Sequence, residues 1–158
     1  QEGKGELDAS SKALLVRSSS VETEEPSPSF VFFPMAGGSP RQFAQTYLAI
    51  VKQQPNATIF LVAPAGRDER AAEPHALTMD QFCGPVVSAL KEHLTTLTNG
   101  PCCFVGDSVG ALAALAVAHQ LQAESGFSPS HMVYSGSESP EVVSTQMGLG
   151  SYSEKPLG

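Results

Sequence analysis

Residues 106–110 read Gly106-Asp107-Ser108-Val109-Gly110, a G-x-S-x-G pattern. A serine in this setting acts as a nucleophile when it sits on a sharp, strained turn between a strand and a helix. Glycines on either side let the strand and helix backbones approach without Cβ clashes. The Ser108 Oγ would then project above the carboxyl end of a sheet, where open α/β sheets bind ligands. The N–H of Val109, at a helix N-terminus, would be placed to stabilise an oxyanion. A Gly-rich turn capped by Asp107 or Ser108 would show the same letters, so the context has to decide. A second candidate is Pro34-Met35-Ala36-Gly37-Gly38-Ser39, which follows an apolar run. Small residues there let the backbone approach a ligand, so this loop can supply a second oxyanion N–H. An ordinary strand-to-helix turn would also carry them.

Both segments need a frame, and the chain between them alternates strand and helix signals. Phe30-Val31-Phe32-Phe33 is a short continuous apolar run, as in a strand buried on both faces. Ser39 suits an N-cap and Pro40 the first helical position, with Phe43, Tyr47 and Ile50 on one face. Thr58-Ile59-Phe60-Leu61-Val62 is a second strand. Thr78 with Gln81 makes a capping box, and Phe82, Val86, Leu90, Leu94 and Leu97 carry a helical stripe. Pro85 predicts a kink or a restart inside that helix. Asn99-Gly100-Pro101 is a turn. Cys102 to Val105 is a third strand. A third helix runs from Val109 to about Glu124 and is ended by Gly126. Met132-Val133-Tyr134 is a fourth strand. The expected helices span 40–52, 79–98 and 109–124; the expected strands span 30–33, 58–63, 102–105 and 131–135. Such alternation implies parallel pairing, hence the α/β class.

Composition bounds what the frame can serve. The 158 residues are 41% hydrophobic and 16% charged, which suits one globular domain. No apolar run approaches the roughly 18 residues of a membrane span. The N-terminal stretch is polar and has no apolar signal core. The chain lacks an initiator Met, from which we expect a fragment or a processed chain. A formal charge of −7, with no basic stripe in the sequence, argues against nucleic acid as a partner. Three cysteines, two of them adjacent (Cys102, Cys103), are not a disulfide framework. A reducing compartment is the expectation: the cytoplasm, or an organelle. Residues 1–29 hold three basic and six acidic residues and read as a flexible linker or arm. Within it Leu14-Leu15-Val16 suits an edge strand or a loop equally. Residues 30–143 form the domain, and residues 144–158 read as loop, the start of a lid or a connection.

Four motifs in order carry a resemblance. Phe33-Pro34-Met35-Ala36-Gly37-Gly38-Ser39 is similar to the F-P-H-A-G-G-S oxyanion loop of type II thioesterases. Ala63-Pro64-Ala65-Gly66-Arg67-Asp68-Glu69-Arg70, then Glu73-Pro74, is similar to their L-P-G-R-x-x-R…E-P segment, with one extra residue. Gly106 to Gly110 stands in the place of their G-H-S-M-G. Tyr134-Ser135-Gly136-Ser137-Glu138-Ser139-Pro140 resembles their S-G-x-x-x-P strand end. The segment thus resembles the first half of the type II thioesterases and of the medium-chain thioesterase of fatty-acid synthesis, both α/β-hydrolases. The resemblance implies a three-layer α/β-hydrolase-like sandwich with a mainly parallel sheet, truncated before the C-terminal strands. It implies a serine thioesterase that hydrolyses acyl thioesters on the phosphopantetheine arm of acyl carrier proteins. The setting would be fatty-acid, polyketide or nonribosomal-peptide synthesis. Ser108 would be the nucleophile, and Ala36 and Val109 the backbone oxyanion donors. Met35, Gly37, Gly38, Gly106, Asp107 and Gly110 would shape the pocket, with Arg67 anchoring the loop after the second strand. No metal or cofactor is implied beyond the arm that the substrate carries, since covalent acyl transfer needs only nucleophile, base and oxyanion hole.

The chain departs from that family at three places. Met35 stands where the family has His, which alters the pocket wall. Asp107 stands where it has the His before the serine, and a carboxylate there raises the barrier to an oxyanion unless paired or turned away. The family's catalytic Asp and His lie C-terminal of the fourth strand, so both are expected beyond Gly158. His75, His93, His119 and His131 match neither position, and none is assigned as base. The chain alone is therefore expected to be inactive. Two other readings stand beside the hydrolase. One is a non-catalytic α/β-hydrolase homologue serving as a binding module. The other is a carrier domain modified with phosphopantetheine at Ser108, since Val105-Gly106-Asp107-Ser108-Val109 also resembles the carrier G-G-D-S-L motif. The carrier reading requires an all-helical domain.

Overall fold

Each of the four apolar runs becomes a strand, and the four lie parallel. The computed structural model describes residues 12–17, 25–137, 139 and 142. A five-stranded sheet holds β1 (Leu14–Arg17), β2 (Ser29–Phe33), β3 (Thr58–Val62), β4 (Cys102–Asp107) and β5 (His131–Ser135) in the order β1-β3-β2-β4-β5. Strands β3, β2, β4 and β5 are parallel, with Phe32 facing Leu61 on one side and Val105 on the other. The apolar knot takes the edge-strand alternative: β1 runs antiparallel to β3, Leu14 opposite Val62. The rest of the 1–29 arm before Glu25 and all of 144–158 lie outside the described residues.

Helices cover both faces, because alternate strand residues point to opposite sides. From β2, Val31 and Phe33 enter the larger core with Phe60, Val62 and Phe104. Phe32, Ile59 and Leu61 enter a smaller core on the opposite face. That smaller core is covered by α1 (Ala44–Gln53) through Tyr47, Ile50 and Val51. The larger core is covered by α2 (Met79–Lys91), α3 (Leu94–Thr98) and α4 (Val109–Ser125). The fold is thus the three-layer α/β sandwich expected of an α/β-hydrolase. It excludes the carrier reading, since Ser108 follows a sheet strand. Helix α4 is apolar around much of its circumference, with Ala111, Ala114, Leu115, Val117, Ala118 and Leu121 all buried. Gly126 ends it at φ +73, donating its N–H to Gln122 O.

Two helix expectations need correction. Residues 40–43 form a separate tight helical turn with Pro40 first, and the regular helix begins only at Ala44. Ser39 sits at the cap position but makes no side-chain capping bond. The expected single helix over 79–98 is two, and its restart is not at Pro85, which α2 accommodates. The break falls at Glu92 and His93, whose N–H groups bond Ala89 O and Leu90 O, three residues back. This tightened end places the His93 ring 5.2 Å from that of Phe60. The capping box forms in part: Gln81 N–H donates to Thr78 Oγ1 at 3.1 Å, while Gln81 Oε1 accepts from Leu77 N–H. Among the described residues no helix is long and apolar enough to cross a membrane.

Candidate active site

The junction after β4 is held in a conformation that L-residues rarely adopt. Ser108 has φ +53 and ψ −121. Such backbone costs about 1–3 kcal/mol and persists only where its surroundings over-determine it. Here they do. Ser108 N–H donates to Ser135 O at 2.7 Å, at the end of β5, and Ser108 O accepts from Ala111 N–H at 2.9 Å. A Cβ on Gly106 would lie 2.5 Å from Ala111 Cα, and one on Gly110 would strike the carbonyl oxygens of Phe33 and Pro34. These two glycines let α4 pass tightly over β4 and the end of β2. Ser108 is left exposed to solvent above the carboxyl end of the sheet.

The loop at 34–39 turns beside it. Gly38 N–H bonds Met35 O at 2.9 Å, with Gly37 at φ +72. That bond leaves the Ala36 N–H outside it. Val109 opens α4, so its N–H has no partner within the helix. Ala36 and Val109, with Met35, Gly37, Gly38, Arg67 and Gly110, line one cleft of about 280 Å³. The facing wall comes from residues between His75 and Phe82, with Pro64 and Ala65 after β3 and Ala113 of α4 completing it. Gly106, Asp107 and Ser108 adjoin that cleft in the chain but are not among its walls.

Gln42 connects the two turns. Its Oε1 accepts from Met35 N–H at 3.0 Å, and its Nε2 donates to Asp107 Oδ2 at 2.5 Å. The Asp107 carboxylate is therefore paired with a neutral amide rather than left facing Ser108 alone. Nothing in the sequence singled out Gln42, because the bond spans 65 positions.

The loop after β3 is anchored by Arg70. Its guanidinium bonds Ala63 O and grips both Glu73 carboxylate oxygens, at 3.0 and 2.6 Å, with its side chain 11% exposed. That hydrogen-bonded guanidinium also holds the Glu73 carboxyl below its ordinary value. Arg70 and Glu73 both fall within the 63–74 motif, and their i,i+3 opposite charges are the sequence signal for this pair. Arg67, by contrast, is exposed and reaches toward Gly37. His75 stacks over Gly66, whose φ of +78 and lack of a Cβ make room for the ring.

The four histidines are dispersed. His93 packs on Phe60, and His131 starts β5. His119 lies on α4, about 16 Å along the helix from Ser108. No hydrogen bond joins Ser108 to His75, His93 or His131 among the described residues. Among them, too, no group of three or more His, Cys, Asp or Glu could hold a metal ion. All three thiols are free, and burial pushes Cys83 up to about 12 and Cys102 to about 11.

A family model described as a thioesterase domain matches residues 28–153. The chain belongs to the thioesterase domain family. It is 29% identical over 109 residues to the gramicidin S biosynthesis protein GrsT of Aneurinibacillus migulanus, a match over 69% of this chain and 40% of that protein. It is 29% identical over 113 residues to the medium-chain S-acyl fatty acid synthase thioesterase of Anas platyrhynchos, covering 70% and 41%. Among solved structures it is similar to the RedJ thioesterase from the prodiginine pathway of Streptomyces coelicolor. That likeness has a TM-score of 0.63 and 28% identity, and covers 80% of this chain and 47% of RedJ. The chain spans less than half the length of the curated relatives it matches.

Proposed function

We propose that this thioesterase domain carries the nucleophile and oxyanion hole of a serine thioesterase. Its substrates are acyl thioesters on the phosphopantetheine arm of a carrier protein in fatty-acid, polyketide or nonribosomal-peptide synthesis. The observation that carries the reading is the strained Ser108 at the strand–helix turn, beside a cleft lined by Ala36 and Val109. Ser108 Oγ attacks the thioester carbonyl, the C–S bond breaks and the arm leaves as its thiol with the serine proton, and water then cleaves the acyl–serine ester to release the acid and restore Ser108. The backbone N–H groups of Ala36 and Val109 stabilise the oxyanion in both steps. No cofactor beyond the substrate's own arm takes part. Three free thiols suit a reducing compartment, the cytoplasm or an organelle interior.

Replacing the weak serine hydroxyl by a thiol tests the site without a base. The Ser108→Cys variant should gain one acyl group at position 108 from a short acyl-pantetheine thioester, by thiol–thioester exchange. Denatured protein should not show this preference. Absence of an adduct at position 108, or an adduct only on Cys103, would overturn the reading. For the unmodified chain the expectation differs. With no base placed beside Ser108, it should hydrolyse acyl thioesters without multiple turnovers and react only slowly with a fluorophosphonate. Rapid labelling abolished by Ser108→Ala would refute this and point to His75, which lines the cleft.

A further inference from the structure

A second cleft, of about 470 Å³, lies beside the first and shares Pro64 and Arg67 with it. It is bounded by β1, the turn at 40–43 and the loop after β3. Five of the chain's nine Lys and Arg residues line it: Lys12, Arg17, Arg41, Arg67 and Arg70. Two of these are matched, Arg70 to Glu73 at 2.6 Å and Arg41 to Asp68 at 3.7 Å. Lys12, Arg17 and Arg67 have no ion pair among the described residues, against Glu69 as the remaining acid of the lining. A protein of formal charge −7 has thus gathered five of its nine cations on one concave surface. Such a wall attracts anions, and arginine forks match phosphate oxygens.

Position narrows the anion. Arg67 borders both clefts and reaches Gly37 of the oxyanion loop, so a ligand held here is an extension of one reacting there. Resting on the thioesterase reading, we infer that the second cleft binds the phosphate at the far end of the substrate's pantetheine arm. Arg67 and Arg17 are the main contacts, with Lys12 adding charge. The acyl end then lies in the first cleft. The arm is held by its two chemically distinct ends, and the variable acyl group is left unread by this cleft.

The test is a binding titration on the Ser108→Ala chain, followed by amide NMR, with 4′-phosphopantetheine, pantetheine and inorganic phosphate. Phosphopantetheine should bind at least 5-fold tighter than either of the others, shifting signals in β1 and at 67–70, and should weaken with added salt. Arg67→Gln should reduce that affinity about 5-fold and Arg17→Gln about 3-fold, with both variants keeping the wild-type amide spectrum elsewhere. Equal affinity for pantetheine, or inorganic phosphate binding as tightly as the whole arm, would overturn the inference. Phosphate-dependent binding without acylation of Ser108→Cys would instead overturn the thioesterase reading and leave the anion site standing.

Discussion

Two strand-to-helix junctions meet at the top of the sheet, and they handle backbone strain differently. After β2, positive φ falls on a glycine, Gly37 at +72; after β4 it falls on a serine, Ser108 at +53. The first loop offers only backbone N–H groups, so glycine relieves it at no loss. Under the proposed function the second presents a side-chain oxygen at the same kind of sharp turn, which gives the strain a reason to be kept. Their frames are shared. Gly110 presses on the carbonyls that end β2, and Gln42 bonds both turns. Each junction is therefore the other's support.

The contact at Gly110 is where that shared frame breaks most easily. Gly110→Ala should destabilise the fold by about 3 kcal/mol, because the new methyl meets backbone oxygens that cannot step aside. A urea midpoint close to wild type would show the junctions to be looser than described. Strain should then separate the two turns by sign. Ser108→Gly should raise stability by about 1 kcal/mol while removing the proposed nucleophile. Gly37→Ala has room for its methyl, 3.6 Å from Arg67, yet should lose about 1 kcal/mol through φ alone. Effects of the same sign at both sites would end the comparison. Gln42→Ala should cost about 0.5–1 kcal/mol and speed hydrogen exchange at the Met35 amide. Unchanged Met35 protection would mean the turns hold themselves.

The smallest effect concerns the apolar layer beneath both turns. Burial holds the Cys83 and Cys102 thiols protonated well above their ordinary 9.0, so the folded chain keeps protons that the unfolded chain releases. Their contribution is complete below pH 9.0 and is lost as pH rises through about 11 and about 12. Thermal midpoints in Cys83→Ala should fall less steeply across that range than in wild type.

The four parallel strands were legible because each is a continuous apolar run bounded by turn residues, and burial on both faces demands such runs. The Ser108 turn was legible for a related reason: its glycines are forced by backbone contacts at fixed spacing. Pro85 brings no restart, because a proline marks where a hydrogen bond is missing but not whether packing carries the helix past it. The real break at His93 comes with a contact to Phe60, 33 positions earlier in the chain. Gln42 and the cationic cleft were invisible for the same reason. Lys12, Arg41 and Arg67 form no stripe along the chain; the pairing of β3 with β2 and with β1 collects them.

That pairing gives the two clefts different lifetimes. Strand β1 is four residues long and, among the described residues, has one neighbour, a strand that comes far later in the chain. Closing so long a loop for so short a ladder makes β1 late to dock and early to release. Lys12, Leu14, Leu15 and Arg17 leave with it. A transient excursion of this one edge strand therefore opens the cationic cleft along one wall, removing two of its five cations, and leaves the Ser108 turn, three strands inward, undisturbed. The molecule can forget how to hold an anion without forgetting how to hold a serine.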